Sequence, residues 1–229
     1  MVLLSLDWDA WSASTEHVFD SPLWGSRDTE ADRVDRWRER ARKRALRADG
    51  WDVLQSDFPL LGDPLALLAY RGVPTTVTWT HADAWTWLGD VDGDGEDVVN
   101  VDSHHDLYSL SGDPARVRPG NWAGLALARG RVRNYTCVYP AWHEGVRVAE
   151  GFDLDRTREE LRAALAPDVL ERVTLTRGEP LPDPARVKAV LLVQSPSWTS
   201  PAHDDLFTRV ARELGARELS PALRRPWTP

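Results

Sequence analysis

The sequence predicts an α/β protein, a three-layer α/β/α arrangement around a mainly parallel sheet. Two observations predict it. Short runs rich in Val and other β-formers, at 2–6, 73–80, 97–101, 132–138, 173–176 and 187–193, each stop at polar or acidic residues, as strands buried on both faces do. Segments of helical period lie between them, and strands that alternate with helices imply parallel pairing with a helical layer on each face.

Taken in order, Val2 to Leu6 is a strand that ends at Asp7. A helix is expected between Thr29 and Gly50, where Val34, Trp37, Ala41 and Ala45 recur at helical spacing. Asp63 before Pro64 reads as an N-cap with proline at the first helical position, and Gly72 as the stop. Asp153 to Ala166 and His203 to Gly215 repeat the helical period, the second closing at a glycine. The Asp/Gly-rich stretch from Gly89 to Asp97 is expected to be a surface loop, and the tail after Ser220, with Pro221, Pro226 and Pro229, to be irregular. No internal repeat or long low-complexity linker interrupts the chain. One domain over residues 1–229 is expected, with 221–229 as its tail.

The 229 residues carry 28 Lys+Arg against 36 Asp+Glu, a net charge of −8. That length buries a core without help from a disulfide or a metal. Cys137 is the only cysteine, so no intramolecular disulfide forms. With no signal-peptide pattern at the N-terminus, the cytoplasm is the expected compartment. Apolar runs fall far short of the roughly 20 residues that span a bilayer, so no membrane is expected. Net acidity argues against nucleic acid as a partner. The basic run from Arg36 to Arg47, interleaved with Glu39 and preceded by Asp32 and Asp35, reads as a solvated helix face, with docking of an acidic peptide as the alternative.

Ligands of open α/β sheets bind beyond the carboxyl ends of the strands, and three of those ends carry metal-type side chains. Asp102, His104 and Asp106 form an Asp-x-His-x-Asp pattern, in which extended backbone throws alternate side chains to one side. Asp7 and Asp9 repeat that geometry at a second strand end, and His81 stands at a third. Carboxylates gathered at one sheet edge repel one another unless protonated or neutralised by a cation. Carboxylate with imidazole suits Mn²⁺, Fe²⁺, Zn²⁺ or Mg²⁺. Six such ligands are enough for two metals sharing carboxylates.

Each piece has a plainer reading. Asp7 and Asp9 also fit a strand end followed by an Asx-type turn, and His81 fits a helix N-terminus. His105 is turned away from its neighbours by the alternation, with proton shuttling as its alternative role. Asp90, Asp92, Asp94 and Gly95 imitate the start of a calcium loop, but Val101 stands where the bidentate Glu belongs, so a solvated turn is expected. Of the twelve Trp, most should fill the core. Trp8, Trp85, Trp122, Trp142 and Trp198 lie beside the motifs and are candidates for an indole rim that holds a cation or a peptide.

Asp102-Ser103-His104-His105-Asp106 resembles the Asp-Ala-His-x-Asp box of the arginase, agmatinase and deacetylase superfamily, and Ser5-Leu6-Asp7-Trp8-Asp9 is similar to its Ser-x-Asp-x-Asp strand. The Asp-x-Asp strand comes first here, unlike in arginase itself, and that order resembles the smaller branch that includes peptide arginases. Thr80-His81-Ala82-Asp83-Ala84-Trp85, Gly120-Asn121-Trp122, Val138-Tyr139-Pro140-Ala141-Trp142 and the stretch from Ser195 to Pro201 extend the resemblance over most of the chain, from Val2 to about Phe207.

The resemblance implies two divalent ions, Mn²⁺ first among them. One would sit on His81, Asp102, Asp106 and Asp7, the other on Asp102, His104, Asp7 and Asp9. It further implies hydrolysis of a guanidino group to an amine and urea, with Asp106 handling the proton and His105 as a second catalytic candidate. The substrate would be an arginine-containing peptide or a small guanidino compound, the reaction on a peptide leaving ornithine. Asp83, Glu144 and Asp205 are candidates for the carboxylate that holds the cation, and Asn121, Trp122, Ser195 and Trp198 for further substrate contacts. His143 is a candidate pocket residue, away from the histidine position that arginase uses. Deacetylation on the same fold, or an inactive protein that binds a basic peptide, are the alternatives.

Overall fold

Seven strands form one sheet in the order β5-β4-β3-β1-β6-β2-β7, with every neighbouring pair parallel. The strands are β1 (Val2–Asp7), β2 (Thr75–Thr78), β3 (Glu96–Val101), β4 (Val132–Tyr139), β5 (Val173–Arg177), β6 (Val187–Val193) and β7 (Arg217–Glu218). The helices are α1 (Ala31–Arg44), α2 (Ala84–Asp90), α3 (Trp122–Ala128), α4 (Leu154–Ala164), α5 (Pro167–Leu170) and α6 (Asp204–Glu213). This computed structural model describes residues 1–12, 31–45, 48–92, 94–109, 113–147 and 149–227, with 31–33 by backbone alone. Thr29, Arg47, Pro229 and the side chain of Asp32 lie outside the described residues.

Alternation along β1 explains the three layers. Leu3 points into a core with Trp87, Leu88, Trp122, Leu127, Leu161 and Val169, the apolar sides of α2, α3, α4 and α5. Leu4 and Leu6 point the other way, into a core with Leu67, Tyr70, Phe207 and Val210. Burial on both faces is what a parallel sheet between helical layers requires. A third cluster lies beside these, where Trp37 and Ala41 of α1 pack on Trp51, Leu54 and Phe58.

Several elements depart from expectation for local reasons. β2 is confined to Thr75–Thr78, since Pro74 has no N–H with which to extend the ladder. The segment capped by Asp63 is a 3₁₀ helix, Pro64–Tyr70, with the Asp63 carboxylate accepting from Leu65 N–H. The Asp/Gly-rich loop is shorter than expected, because α2 runs to Asp90 and β3 begins at Glu96. Its acids serve surface ion pairs: Asp90 meets Arg217 at 2.8 Å and Asp94 meets Arg131 at 2.8 Å. The described part of the tail, 221–227, is irregular as expected, yet Arg225 within it is 3% exposed. On α1, Arg36 and Lys43 reach Glu39, and Arg38 reaches Asp35, a solvated face of paired charges. No helix among the described residues is long and apolar enough to cross a membrane.

Register sets the site. Leu6 pairs with Val101, and Asp7 and Thr78 both pair with Val193. Strands β3, β1, β6 and β2 therefore end level at one edge, and Asp102, Asp7, Ser195 and His81 follow from that edge.

Candidate metal centre

Two triads of ligating atoms converge at that edge, Asp7–His81–Asp102 and Asp9–Asp102–His104, with Asp102 common to both. Within each triad the atoms lie within 4.8 Å of one another. His81 Nδ1 faces Asp7 Oδ2 at 3.1 Å, Asp102 Oδ2 at 3.1 Å and Asp106 Oδ2 at 2.9 Å. His104 Nδ1 faces Asp9 Oδ2 at 3.0 Å and Asp102 Oδ1 at 3.5 Å. The structure thus brings together all six residues that the strand ends nominate. The four carboxylates and His81 are buried, while His104 is partly open to solvent.

Five of the six side chains are held from behind by polar groups on strands, on the loops that follow them or on α3. The Asp7 side chain does make the Asx turn, with Oδ1 accepting from Asp9 N–H at 3.0 Å, and its Oδ2 also accepts from Ser195 Oγ at 2.5 Å. Ser103 N–H donates to Asp9 Oδ1, and Ser103 Oγ to the Asp9 carbonyl, both at 3.1 Å. Asn100 Nδ2 donates to Asp102 Oδ2 at 3.0 Å. Ser5 Oγ lies 2.7 Å from His81 Nε2, which leaves Nδ1 for the cluster in the manner of an outer-shell partner that fixes a ligating imidazole. Trp122 Nε1 donates to Asp106 Oδ2 at 2.8 Å.

Asp106 sits at φ 53°, a left-handed conformation that Asp tolerates better than most residues. Its carbonyl accepts from Ala123 and Gly124 N–H, two of the donors that the start of α3 leaves unmatched.

Burial and crowded charge shift several of the cluster's titratable groups. Burial, and then the charges of Asp7 and Asp102, raise the Asp9 carboxyl well above its usual range. Burial and Asp102 push Asp106 up to about 7. Burial also opposes charge on Asp102, but hydrogen bonds and charges from His104 and His81 outweigh it and hold that carboxyl low. The two imidazoles go the other way. Despite burial, Asp106 and its neighbours raise His81, and Asp9 and Asp102 raise His104. Protons thus stand where positive charge is needed.

Asp9 Oδ2 and His81 Nδ1 remain buried without an aligned hydrogen-bond partner. Orphaned, inward-facing donor atoms of hard type fit a divalent metal of the Mn²⁺, Zn²⁺, Fe²⁺ or Mg²⁺ class. The buried Cys137 belongs to neither triad, and its thiol contacts the His104 carbonyl at 3.6 Å.

Other nominated residues are engaged elsewhere. Asp83 accepts from Thr78 Oγ1 and Ser220 Oγ. Asn121 is buried and closes a local turn, accepting from Arg118 N–H and donating to the Arg116 carbonyl. The Glu144 side chain is 80% exposed beside Arg177, and Asp205 is exposed on α6. His143 is fully buried, with Nδ1 2.5 Å from the Glu150 carbonyl. His105 Nδ1 accepts from Leu107 N–H at 3.0 Å, and Nε2 lies 3.8 Å from Glu150 Oε2.

The indoles divide. Trp8 is buried against Phe207, Trp85 lies under Arg129 and Arg131, and Trp142 donates to the Ala10 carbonyl. Trp122 is inside the cluster instead of on a rim. Trp198 stands against the His104 ring at 4.5 Å.

Sequence reasoning gave Ser5 no role beyond its place in the Ser-x-Asp-x-Asp pattern, and missed Asn100 and Glu150. A signal for the first two was present, a polar residue inside an apolar strand run. Glu150 comes from the segment after β4, where its Oε2 accepts from His105 N–H at 2.9 Å. No family model, curated protein or solved structure matches the chain.

Proposed function

We propose that the chain is a binuclear-metal hydrolase that cleaves a guanidino C–N bond, converting an arginine side chain in a peptide to ornithine and urea. The observation that carries this reading is the pair of triads, buried but for His104, that share Asp102 at the edge of a parallel sheet. A second triad, which a one-metal amidohydrolase does not need, supports it over deacetylation. When bound, two divalent ions supply an activated water at neutral pH and neutralise the carboxylates.

The chain's own residues do the remainder. Asp106, oriented by Trp122 Nε1, takes the proton from the attacking water and returns it to the leaving amine. Trp198, against the partly open His104, offers an indole face to a cation. Glu150 supplies the carboxylate for that cation: it is partly exposed at 29%, is fixed by His105 N–H, and its charge reaches His104. A carboxylate meets a planar guanidinium in two parallel hydrogen bonds.

The test is urea release in Mn²⁺ from free arginine, agmatine and arginine-containing peptides. Turnover of the peptide is expected. Activity on the small molecules alone rejects the peptide substrate, and no urea from any of them rejects the guanidino reaction.

A further inference from the structure

The turn that leaves β6 places Ser195 against Asp7, and Ser195 holds φ 46°. A non-glycine residue stays in that strained region only where its surroundings fix it. Both of its neighbours are tied down. The Pro196 carbonyl accepts from Trp37 Nε1 of α1 and from Arg225 Nη1 of the C-terminal tail, each at 2.8 Å. Gln194 exchanges hydrogen bonds with the Leu223 backbone, Nε2 to O and N–H to Oε1, both at 2.7 Å.

Arg225 joins these contacts. Its guanidinium makes a two-pronged pair with Asp204, Nη2 to Oδ1 at 2.6 Å and Nε to Oδ2 at 2.9 Å, and Asp204 Oδ1 also accepts from Gln194 Nε2 at 3.1 Å. Trp51 Nε1 holds the Arg225 carbonyl at 2.6 Å. Both charged side chains are buried, Arg225 at 3% and Asp204 at 6% exposed. Stability alone does not explain a buried ion pair, because desolvation offsets much of its attraction. What a well-packed apolar pair lacks is the planar fork that grips a carboxylate and a carbonyl at once.

We propose that Arg225, paired with Asp204, is a positioning residue for the metal centre. By fixing the Pro196 carbonyl it holds Ser195 left-handed, and the Ser195 hydroxyl on Oδ2, with Asp9 N–H on Oδ1, then sets the rotation of the Asp7 carboxylate, a torsion that is intrinsically soft. The proposal rests on the metal reading of the cluster but not on the substrate.

Isothermal titration of the full chain with Mn²⁺, alongside thermal melts in metal-free buffer, tests it on three variants. Arg225→Lys keeps the charge and loses the fork. Asp204→Leu with Arg225→Met removes both charges together, so neither is left buried alone. Ser195→Ala removes the last link at the same backbone penalty. Each variant is expected to bind Mn²⁺ about tenfold or more weakly, as loss of an outer-shell partner does. The Arg225→Lys, Ser195→Ala double variant is expected to be no weaker than Ser195→Ala alone, because both changes act through one chain of contacts. If the charge-free pair does not fold, Arg225→Lys and Ser195→Ala decide. Folded Arg225→Lys with wild-type Mn²⁺ affinity, or effects that simply add, would overturn the positioning role while leaving the metal centre standing. No Mn²⁺ uptake by the wild-type chain would overturn the metal reading and this role with it.

Discussion

Asp102 belongs to both triads, so its loss is felt at both positions. Asp102→Asn is expected to abolish divalent-metal uptake and turnover, and Asp7→Asn to abolish turnover. The folds should persist, because each change removes one buried like charge from a crowded set; circular dichroism and metal analysis on the same samples check this. Glu150→Gln is expected to raise KM for an arginine peptide by about tenfold, the loss of about 1.4 kcal/mol of charge-assisted bonding, with kcat and Mn²⁺ affinity little changed. Steady-state kinetics and metal titration decide between that and a structural role.

His143 contributes one part of the pH dependence, opposite in sign to that of the raised Asp9 and Asp106 carboxyls. Burial lowers its pKa to about 4 from 6.5, so the folded chain prefers the neutral ring. Its contribution is full above pH 6.5 and is lost as pH falls toward about 4, up to about 3 kcal/mol. Denaturant titrations over that window should therefore show a stability slope that flattens in His143→Gln. Among these residues the six candidate ligands were legible because each lies at or just beyond a strand end. Glu150 was not, because its approach to His105 depends on the fold of the segment that His143 anchors.

Helix α3 matters through its close approach to the strand-end loop. A Cβ on Gly124 would lie 1.9 Å from the Leu107 carbonyl oxygen and 2.8 Å from its carbon, a clash with backbone that no rotamer relieves. Gly124→Ala is expected to destabilise the chain by about 3 kcal/mol. It should also weaken metal binding, because the Gly124 N–H holds the Asp106 carbonyl; a melt and a metal titration read the two effects. Long elements were legible in the sequence: α4 and α6 fill most of the expected spans, and β6 matches its apolar run to the residue. α2 and α3 have seven residues each and β7 two. That is too short for a periodic pattern to stand out from its flanks.

The whole molecule joins a sheet edge crowded with negative charge to a tail and a helix that brace it. Its net charge is −8, and four of the acids share one buried cluster. Divalent ions that bind the folded chain and not the unfolded one stabilise it by about 2.7 kcal/mol at a hundredfold excess over Kd. A melting temperature that rises with Mn²⁺ concentration is therefore expected, and should vanish in Asp102→Asn. The most direct measurement is metal content after equilibrium dialysis against Mn²⁺. Two ions per chain in the wild type and a loss of both in Asp102→Asn is the predicted result. A wild-type chain that retains no Mn²⁺, and no Zn²⁺ or Fe²⁺ offered in its place, would contradict the account.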